Sequence, residues 1–304
     1  MEYIDIYNEK VKELSDRIAF TDCTNFLTYK ELDVESAKIY SYLKSKKIGK
    51  EDFVQIVLKR SVRIPASIMG VIKAGAAFVV LEDTYPEDRI KFIYSDCNCR
   101  IRIDDKLYDE IIANERPLSG YERTDNHDAC YAVYTSGSTG NPRGVLHEYG
   151  NIMQNCNSFE TWYDNRINNC AIFAPFYFVA GVLDIFHYIT RGRTTYIVPH
   201  DITRDFVAVK KFIEENSIEE IFLPPSYLKI YPKPSDTIKV LYTGSEPANG
   251  LSYNGHPTLI NFYAMSESGF VVLQSNLNKS YEVAPVGKPL LDDIKVCILD
   301  EDGK

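Results

Sequence analysis

Two short segments of this chain gather the side chains that handle phosphate. The first reads Tyr134-Thr135-Ser136-Gly137-Ser138-Thr139-Gly140-Asn141-Pro142-Arg143-Gly144. Its glycines let a backbone approach a polyphosphate closely, and its hydroxyls add hydrogen bonds without bulk. Arg143 supplies a planar cation that grips phosphate oxygens in pairs. The Walker pattern fails, because Pro142 occupies the position of its second glycine and no Lys-Ser/Thr follows. Composition alone would equally suit an exposed Ser/Gly loop. The second segment, Asn261-Phe262-Tyr263-Ala264-Met265-Ser266-Glu267, ends a strand-like run with an aromatic, a hydroxyl and a carboxylate. An aromatic face suits adenine, a hydroxyl suits the α-phosphate and a carboxylate oxygen suits Mg²⁺. Taken alone, such a turn is more often plain surface.

The elements that must position these segments alternate between helical and strand-like patterns, which predicts an α/β fold with mainly parallel sheets. Thr28-Tyr29-Lys30-Glu31 has the spacing of a capping box opening a helix towards Lys44. Residues 53–58 read as a buried strand, 65–74 as a helix ended by Gly75, and 77–81 as the next strand. Pro86, with Glu87 and Asp88 behind it, marks a first helical turn. Residues 130–135 form a strand into the phosphate loop, and a helix is expected from Gly144 through Phe159. Residues 171–174, 194–198, 220–223, 239–243 and 258–262 are short strand candidates. Residues 205–215 form a helix with Phe206, Val209, Phe212 and Ile213 on one face.

Composition narrows the class of partner. The formal net charge of -9 over 304 residues argues against nucleic acid or an anionic membrane as the main partner. ATP remains open to an acidic protein, because backbone N–H groups and Mg²⁺ meet the phosphates. The seven cysteines are odd in number and scattered, and no CxxC pair suggests zinc, so reduced thiols in a cytoplasm are expected. The first ten residues lack the apolar run of a signal peptide. The most apolar stretch, residues 171–186, is short for a membrane span and contains Asp184.

The order of the phosphate loop resembles the signature of the adenylate-forming superfamily, which includes acyl-CoA synthetases, luciferases and the adenylation domains of nonribosomal peptide synthetases. The wider spelling HDACYAVYTSGSTG, from His127 to Gly140, is most similar to the peptide-synthetase branch and its D-alanine-activating relatives. Residues 27–32 resemble the family's LTYxEL, and residues 72–81 with 85–90 resemble LKAGxAYVPLDxxYPxxRI. The Asn261–Glu267 segment resembles NxYGxTE, with Ala264 in place of the glycine. Thr243-Gly244-Ser245-Glu246-Pro247 resembles the adenine-pocket GGE element, and residues 286–289 resemble IGRP.

The resemblance implies roles. Thr135, Ser136, Gly137, Ser138, Thr139, Gly140 and Arg143 would hold the β- and γ-phosphates of ATP, with Arg143 where the family usually has lysine. Gly244, Ser245 and Glu246 would line the adenine site, Tyr263 would stack on adenine, Ser266 would meet the α-phosphate and Glu267 would bind Mg²⁺. The acyl pocket would comprise Val179, Ala180, Leu183, Phe222, Leu241, Thr243, Phe262, Phe270 and Val271, although ordinary core packing gives the same residue types. Val179 stands where amino-acid-activating relatives, with their FDxSxWEI element, place the aspartate that meets an α-ammonium. A buried ammonium there would lack a counter-ion, at a cost of several kcal/mol. The substrate is therefore expected to be a small apolar carboxylic acid without that group, unless the match is offset by a residue or two or the amine is held elsewhere.

The resemblance covers essentially the whole chain. It implies the large N-terminal lobe of the adenylate-forming fold, two stacked α/β subdomains approximated as 1–180 and 181–304, with the family's lysine-bearing C-terminal lobe outside residues 1–304. The implied chemistry is activation of the acid as an acyl-adenylate and transfer to the phosphopantetheine thiol of a carrier protein, with little activity expected from the 304 residues alone. Two other readings stand beside it: a non-catalytic module that binds nucleotide or a partner, and an acyl-CoA ligase.

Overall fold

Hydrogen bonding divides the strands between two sheets. The computed structural model describes residues 2–135, 142–159, 166–230, 235–253, 255–292, 294–300 and 302. After helix α1 (Tyr3–Glu13), a hairpin of β1 (Ile18–Thr21) and β2 (Phe26–Thr28) leads into α2 (Tyr29–Ser45). The Thr28 hydroxyl accepts from the Glu31 amide at 3.1 Å, and Glu31 accepts from the Thr28 amide at 2.8 Å. This reciprocal cap starts α2 where its sequence pattern predicts. There follow β3 (Phe53–Leu58), α3 (Arg63–Lys73), β4 (Ala77–Glu82), α4 (Glu87–Asp96), β5 (Ile101–Asp104), α5 (Asp105–Asn114), β6 (Ala129–Thr135) and β7 (Arg143–Glu148). Gly75 ends α3 with φ +64°, the left-handed turn that favours glycine.

The second half runs α6 (Tyr149–Ser158), β8 (Asn169–Ile172), α7 (Val179–Thr190), β9 (Thr194–Ile197), α8 (Phe206–Glu215), β10 (Glu220–Phe222) and α9 (Pro225–Ile230). It continues with β11 (Val240–Gly244), β12 (Thr258–Tyr263), β13 (Leu273–Asn276) and β14 (Lys288–Pro289). A five-stranded sheet has the order β5-β3-β4-β6-β7, parallel except for β7. A nine-stranded sheet has the order β14-β13-β12-β11-β10-β8-β9-β1-β2, with β1, β8, β9, β10, β11 and β12 parallel. Continuous apolar runs such as residues 77–81 suit parallel strands covered on both faces.

One core joins the inner faces of both sheets to α1, α2, α3, α6 and α7, with Phe78, Tyr131 and Phe186 at its centre. A second core packs the nine-stranded sheet against α8 and α9, and a third packs the five-stranded sheet against α4. The seven cysteines are free thiols. No helix among the described residues is long and apolar enough to cross a membrane.

Two expectations change. Residues 144–148 belong to a strand, and the helix begins only at Tyr149. The free edge of β6 takes up Arg143–Glu148 in antiparallel register, and Val145 and His147 turn inward while Leu146 and Glu148 turn out. Outward-facing Leu146 hides that alternation in the sequence. A subdomain boundary at 180/181 would fall inside α7, because the nine-stranded sheet takes its first two strands from the N-terminal hairpin and the others from residue 169 onward.

Candidate active site

The phosphate-loop flanks are antiparallel partners. Thr135 ends β6 opposite Arg143, which begins β7, and the Thr135 hydroxyl lies 3.5 Å from the Arg143 carbonyl. The Arg143 side chain is exposed. Ser136, Gly137, Ser138, Thr139 and Gly140 lie outside the described residues. Tyr134 anchors the strand end by donating to Asp96 at 2.6 Å.

The turn after β12 is built on the same strand pair. Gly269, at φ +65°, comes so close to β7 that a Cβ there would lie 2.4 Å from His147 Nδ1. His147 is 2% exposed and stacks on Tyr131 of β6 with ring centroids 4.5 Å apart. Burial pushes the imidazole pKa down, while the Ser266 backbone and the Glu267 carboxylate act against that shift. The turn is held internally by Ser268, whose hydroxyl accepts from the Met265 amide at 3.2 Å and lies 2.8 Å from the Phe270 carbonyl. His147 thus fastens the Tyr263–Glu267 turn to the strand that Arg143 begins. Neither His147 nor Ser268 was singled out from the sequence, because each acts through a partner distant in space or hidden in a turn.

Within this turn, Tyr263 is 42% exposed, Ser266 half-buried and Glu267 exposed. An exposed carboxylate fits a hard cation that keeps several waters and shares phosphate oxygens with its ligand. Among the described residues no group of three or more His, Cys, Asp or Glu side chains could form an all-protein cage. Glu267 is the carboxylate of this turn that would meet Mg²⁺ carried by nucleotide phosphates, as the family resemblance implies. Glu246 is engaged elsewhere, accepting from the Ser226 amide and hydroxyl at 3.1 Å each at the start of α9.

A cavity of about 270 Å³ lies beneath the turn. Ser266, Ala264, Gly244 and Ser245 are among the residues that line it, so three residues expected at the nucleotide also border this space. Helix α7 supplies Val179, Ala180, Leu183 and Asp184, preceded by Phe178. Phe222, Tyr242, Phe262 and Val271 complete the sheet side. Tyr242 and Phe262 stack with centroids 4.8 Å apart, and Phe159 meets both edge-on.

Three residues expected in this pocket lie elsewhere. Successive side chains of a strand alternate between faces, so Tyr242 and Gly244 of β11 face the cavity while Leu241 packs into the core on the α8–α9 side. Thr243 shares that parity and is fully buried off the cavity. Phe270 is half-buried in the turn beside Ser268, and Val271 takes the wall. Phe159, Phe178, Asp184, Tyr242 and Ala264 were not expected. Strand parity could have found Tyr242, and helical spacing from Ala180 could have found Asp184. Nothing local in sequence points to Phe159.

A family model described as AMP-binding enzyme matches residues 7–304, and the chain belongs to that family. Bacitracin synthase 1 of Bacillus licheniformis is 27% identical over 98% of the chain, and surfactin synthase subunit 1 of Bacillus subtilis is 30% identical over 99%. The chain spans 6% and 9% of those two proteins. Among solved structures, the Klebsiella oxytoca NpsA N-terminal subdomain in complex with 3-hydroxyanthranilyl-AMSN matches with a TM-score of 0.87 and 20% identity. That match covers 100% of this chain and 83% of the other. The fold is accordingly the N-terminal lobe of the adenylate-forming architecture.

Proposed function

We propose that this chain forms the nucleotide- and acid-binding lobe of an enzyme that activates a small carboxylic acid as its acyl-adenylate. The observation that carries this reading is the seating of the Tyr263–Glu267 turn on His147, which joins that turn to the β6–β7 pair flanking the phosphate loop, beside a largely apolar cavity that the turn helps to line. A substrate carboxylate at the cavity mouth would attack the α-phosphorus of ATP, forming a C–O–P link as the bond to pyrophosphate breaks. The protein's contribution is alignment of the two reactants and charge compensation. Ser266 stands where the hydroxyl would meet the α-phosphate, and Tyr263 offers an exposed ring face for adenine. Arg143 and Thr135 flank the place for the β- and γ-phosphates. Mg²⁺ held at Glu267 would neutralise phosphate charge.

Val179 lines the cavity at 8% exposure, which supports an acid without an α-ammonium group. The aromatic walls suit a flat, single-ring acid. The related NpsA structures carry 3-hydroxyanthranilyl-AMSN and 3-hydroxybenzoyl-AMSN, in keeping with that choice. A solved artificial fusion, NpsA-ThdA, joins an adenylation domain to a PCP, which supports a carrier-protein thiol as the acceptor.

Calorimetric titration of this chain with stable acyl-adenosine sulfamates tests the reading. Benzoyl-type analogues are expected to bind at least tenfold more tightly than α-aminoacyl ones. Tighter binding of the α-aminoacyl series would remove the argument from Val179. In the full-length protein, ATP–pyrophosphate exchange should depend on added acid, and exchange without acid would defeat the proposal.

A further inference from the structure

Two thiols meet at the C-terminus of α4, away from the cavity. Cys97 caps that helix, and Asn98 turns the chain through the left-handed region at φ +50°. The Cys99 amide closes the turn on the Tyr94 carbonyl at 2.8 Å. A helical turn of either hand sets Cα atoms two residues apart at about 5.4 Å, inside the span that a disulfide bridges. The two thiols are hydrogen-bonded to each other, with Cys97 half-buried and Cys99 6% exposed, so a small solute reaches Cys97 first. The hydrogen bond from Cys99 draws the Cys97 pKa down, while donating that bond and being buried hold Cys99 up. Cys97 is thus the member that attacks as a thiolate, and Cys99 the one that resolves.

The pair also touches the root of the phosphate loop. Cys97 Sγ lies 3.1 Å from the Tyr134 hydroxyl. Tyr134 gives its one proton to Asp96, so the thiol is the donor between them. The Tyr134 ring covers Gly144, its register partner on β7, where a Cβ would lie 3.0 Å from the ring Cζ. Tyr134 belongs to one flank of the loop and Gly144 to the other. Resting on the phosphate-loop reading above, we propose that Cys97 and Cys99 form a peroxide-oxidised dithiol whose closure to a disulfide withdraws Cys97 from Tyr134 and weakens nucleotide binding. The Cys97 thiolate attacks one oxygen of hydrogen peroxide, the O–O bond breaks, and the departing hydroxide takes up a proton as water. The Cys99 sulfur then attacks the Cys97 sulfenic acid; the S–S bond forms, the S–O bond breaks, and water leaves with the Cys99 proton. Two thiols lose two electrons and two protons, and one peroxide becomes two waters. The ring encloses a single intervening residue, so the bond is strained and readily reduced by small thiols, which makes the change reversible.

The test treats the chain with hydrogen peroxide, alkylates the remaining thiols and weighs the tryptic peptide 92–100, which holds both cysteines. That peptide is expected unalkylated and lighter by two hydrogens, and dithiothreitol should restore it. Affinity for Mg·ATP, measured by calorimetry, should fall fivefold or more on oxidation and recover on reduction. Cys97→Ser, which keeps a donor for Tyr134, and Cys99→Ala should bind Mg·ATP as the reduced protein does and lose the response to peroxide. Tyr134→Phe should still form the disulfide without a change in affinity. A doubly alkylated peptide, or separate oxidation of the two sulfurs to sulfinic or sulfonic acids, would overturn the proposal and leave nucleotide binding standing. A disulfide that leaves Mg·ATP affinity unchanged, or a peroxide response that persists in Cys97→Ser, would overturn it equally. Failure of the reduced chain to bind Mg·ATP would instead overturn the nucleotide reading and the coupling with it, while the peptide mass still decides whether the disulfide forms.

Discussion

Single atoms decide how the Tyr263–Glu267 turn meets the strand that Arg143 begins. Gly269 must keep φ at +65° and also leave room for the His147 imidazole. Gly269→Ala places a side chain in the left-handed region, at about 1–2 kcal/mol, and drives its Cβ into the ring. We expect a urea-unfolding loss of at least that size, together with a fivefold or greater weakening of analogue binding by calorimetry. Loss of stability without loss of binding would mean that the turn does not serve the nucleotide. At Val179 the expectation runs the other way. Val179→Asp introduces a carboxylate into an apolar wall, so aryl analogues should weaken by tenfold or more while α-aminoacyl analogues gain affinity. Failure of the α-aminoacyl series to improve would show that Val179 does not face the α-position.

At the scale of elements, the start of α2 and the facing of β11 show two kinds of local control. The α2 cap is made within four residues, Thr28 to Glu31, and needs nothing from the remainder of the molecule. Thr28→Ala should therefore cost about 1 kcal/mol of stability, measured by urea unfolding, with analogue affinity unchanged. The facing of β11 is not local. Val240, Leu241, Tyr242, Thr243 and Gly244 are all buried, so no polar–apolar alternation marks which side meets the cavity. A strand covered on both faces loses the signal that would reveal its parity.

At the scale of the molecule, Arg60 ties one sheet to the other. It follows β3 of the five-stranded sheet and donates to carbonyls at the ends of β8 and β9 in the nine-stranded one. Its guanidinium also lies 4.8 Å from the Phe176 ring centroid. Arg60→Met would remove these charge-assisted hydrogen bonds between the sheets, and a loss on the order of 3 kcal/mol is expected in urea unfolding. The interior also sets a pH limit. Burial holds His187 down at about 4 against an ordinary 6.5, outweighing the opposing pull of Glu220. Between those values the unfolded chain binds the proton and the native chain does not. The contribution is thus full above pH 6.5 and lost as pH falls to about 4. Asp184, raised by burial, acts in the opposite sense as pH increases. Comparing urea midpoints at pH 7.5 and pH 5, His187→Gln should flatten the decline seen in the unsubstituted protein, and an unchanged slope would contradict the assignment.

Local chemistry in the sequence determined most of the architecture. Thr28 and Glu31 start α2, Gly75 stops α3, Asp205 caps α8, and apolar runs bounded by turns mark the parallel strands. The order of Thr135 to Gly144 and of Tyr263 to Glu267 resembles the family's signatures, and that resemblance rather than residue type alone points to phosphate chemistry. Tertiary structure alone decided what depends on partners distant in the chain. The free edge of β6 made a strand of Arg143–Glu148, strand parity exchanged Leu241 for Tyr242 in the cavity wall, and packing set His147 beneath Gly269. In the sequence, Asp184 reads as an interruption of the apolar stretch 171–186. Only the packing of helix α7 against β10, β11 and β12 made it a buried carboxyl lining a cavity, because burial and partnership belong to the assembled surroundings.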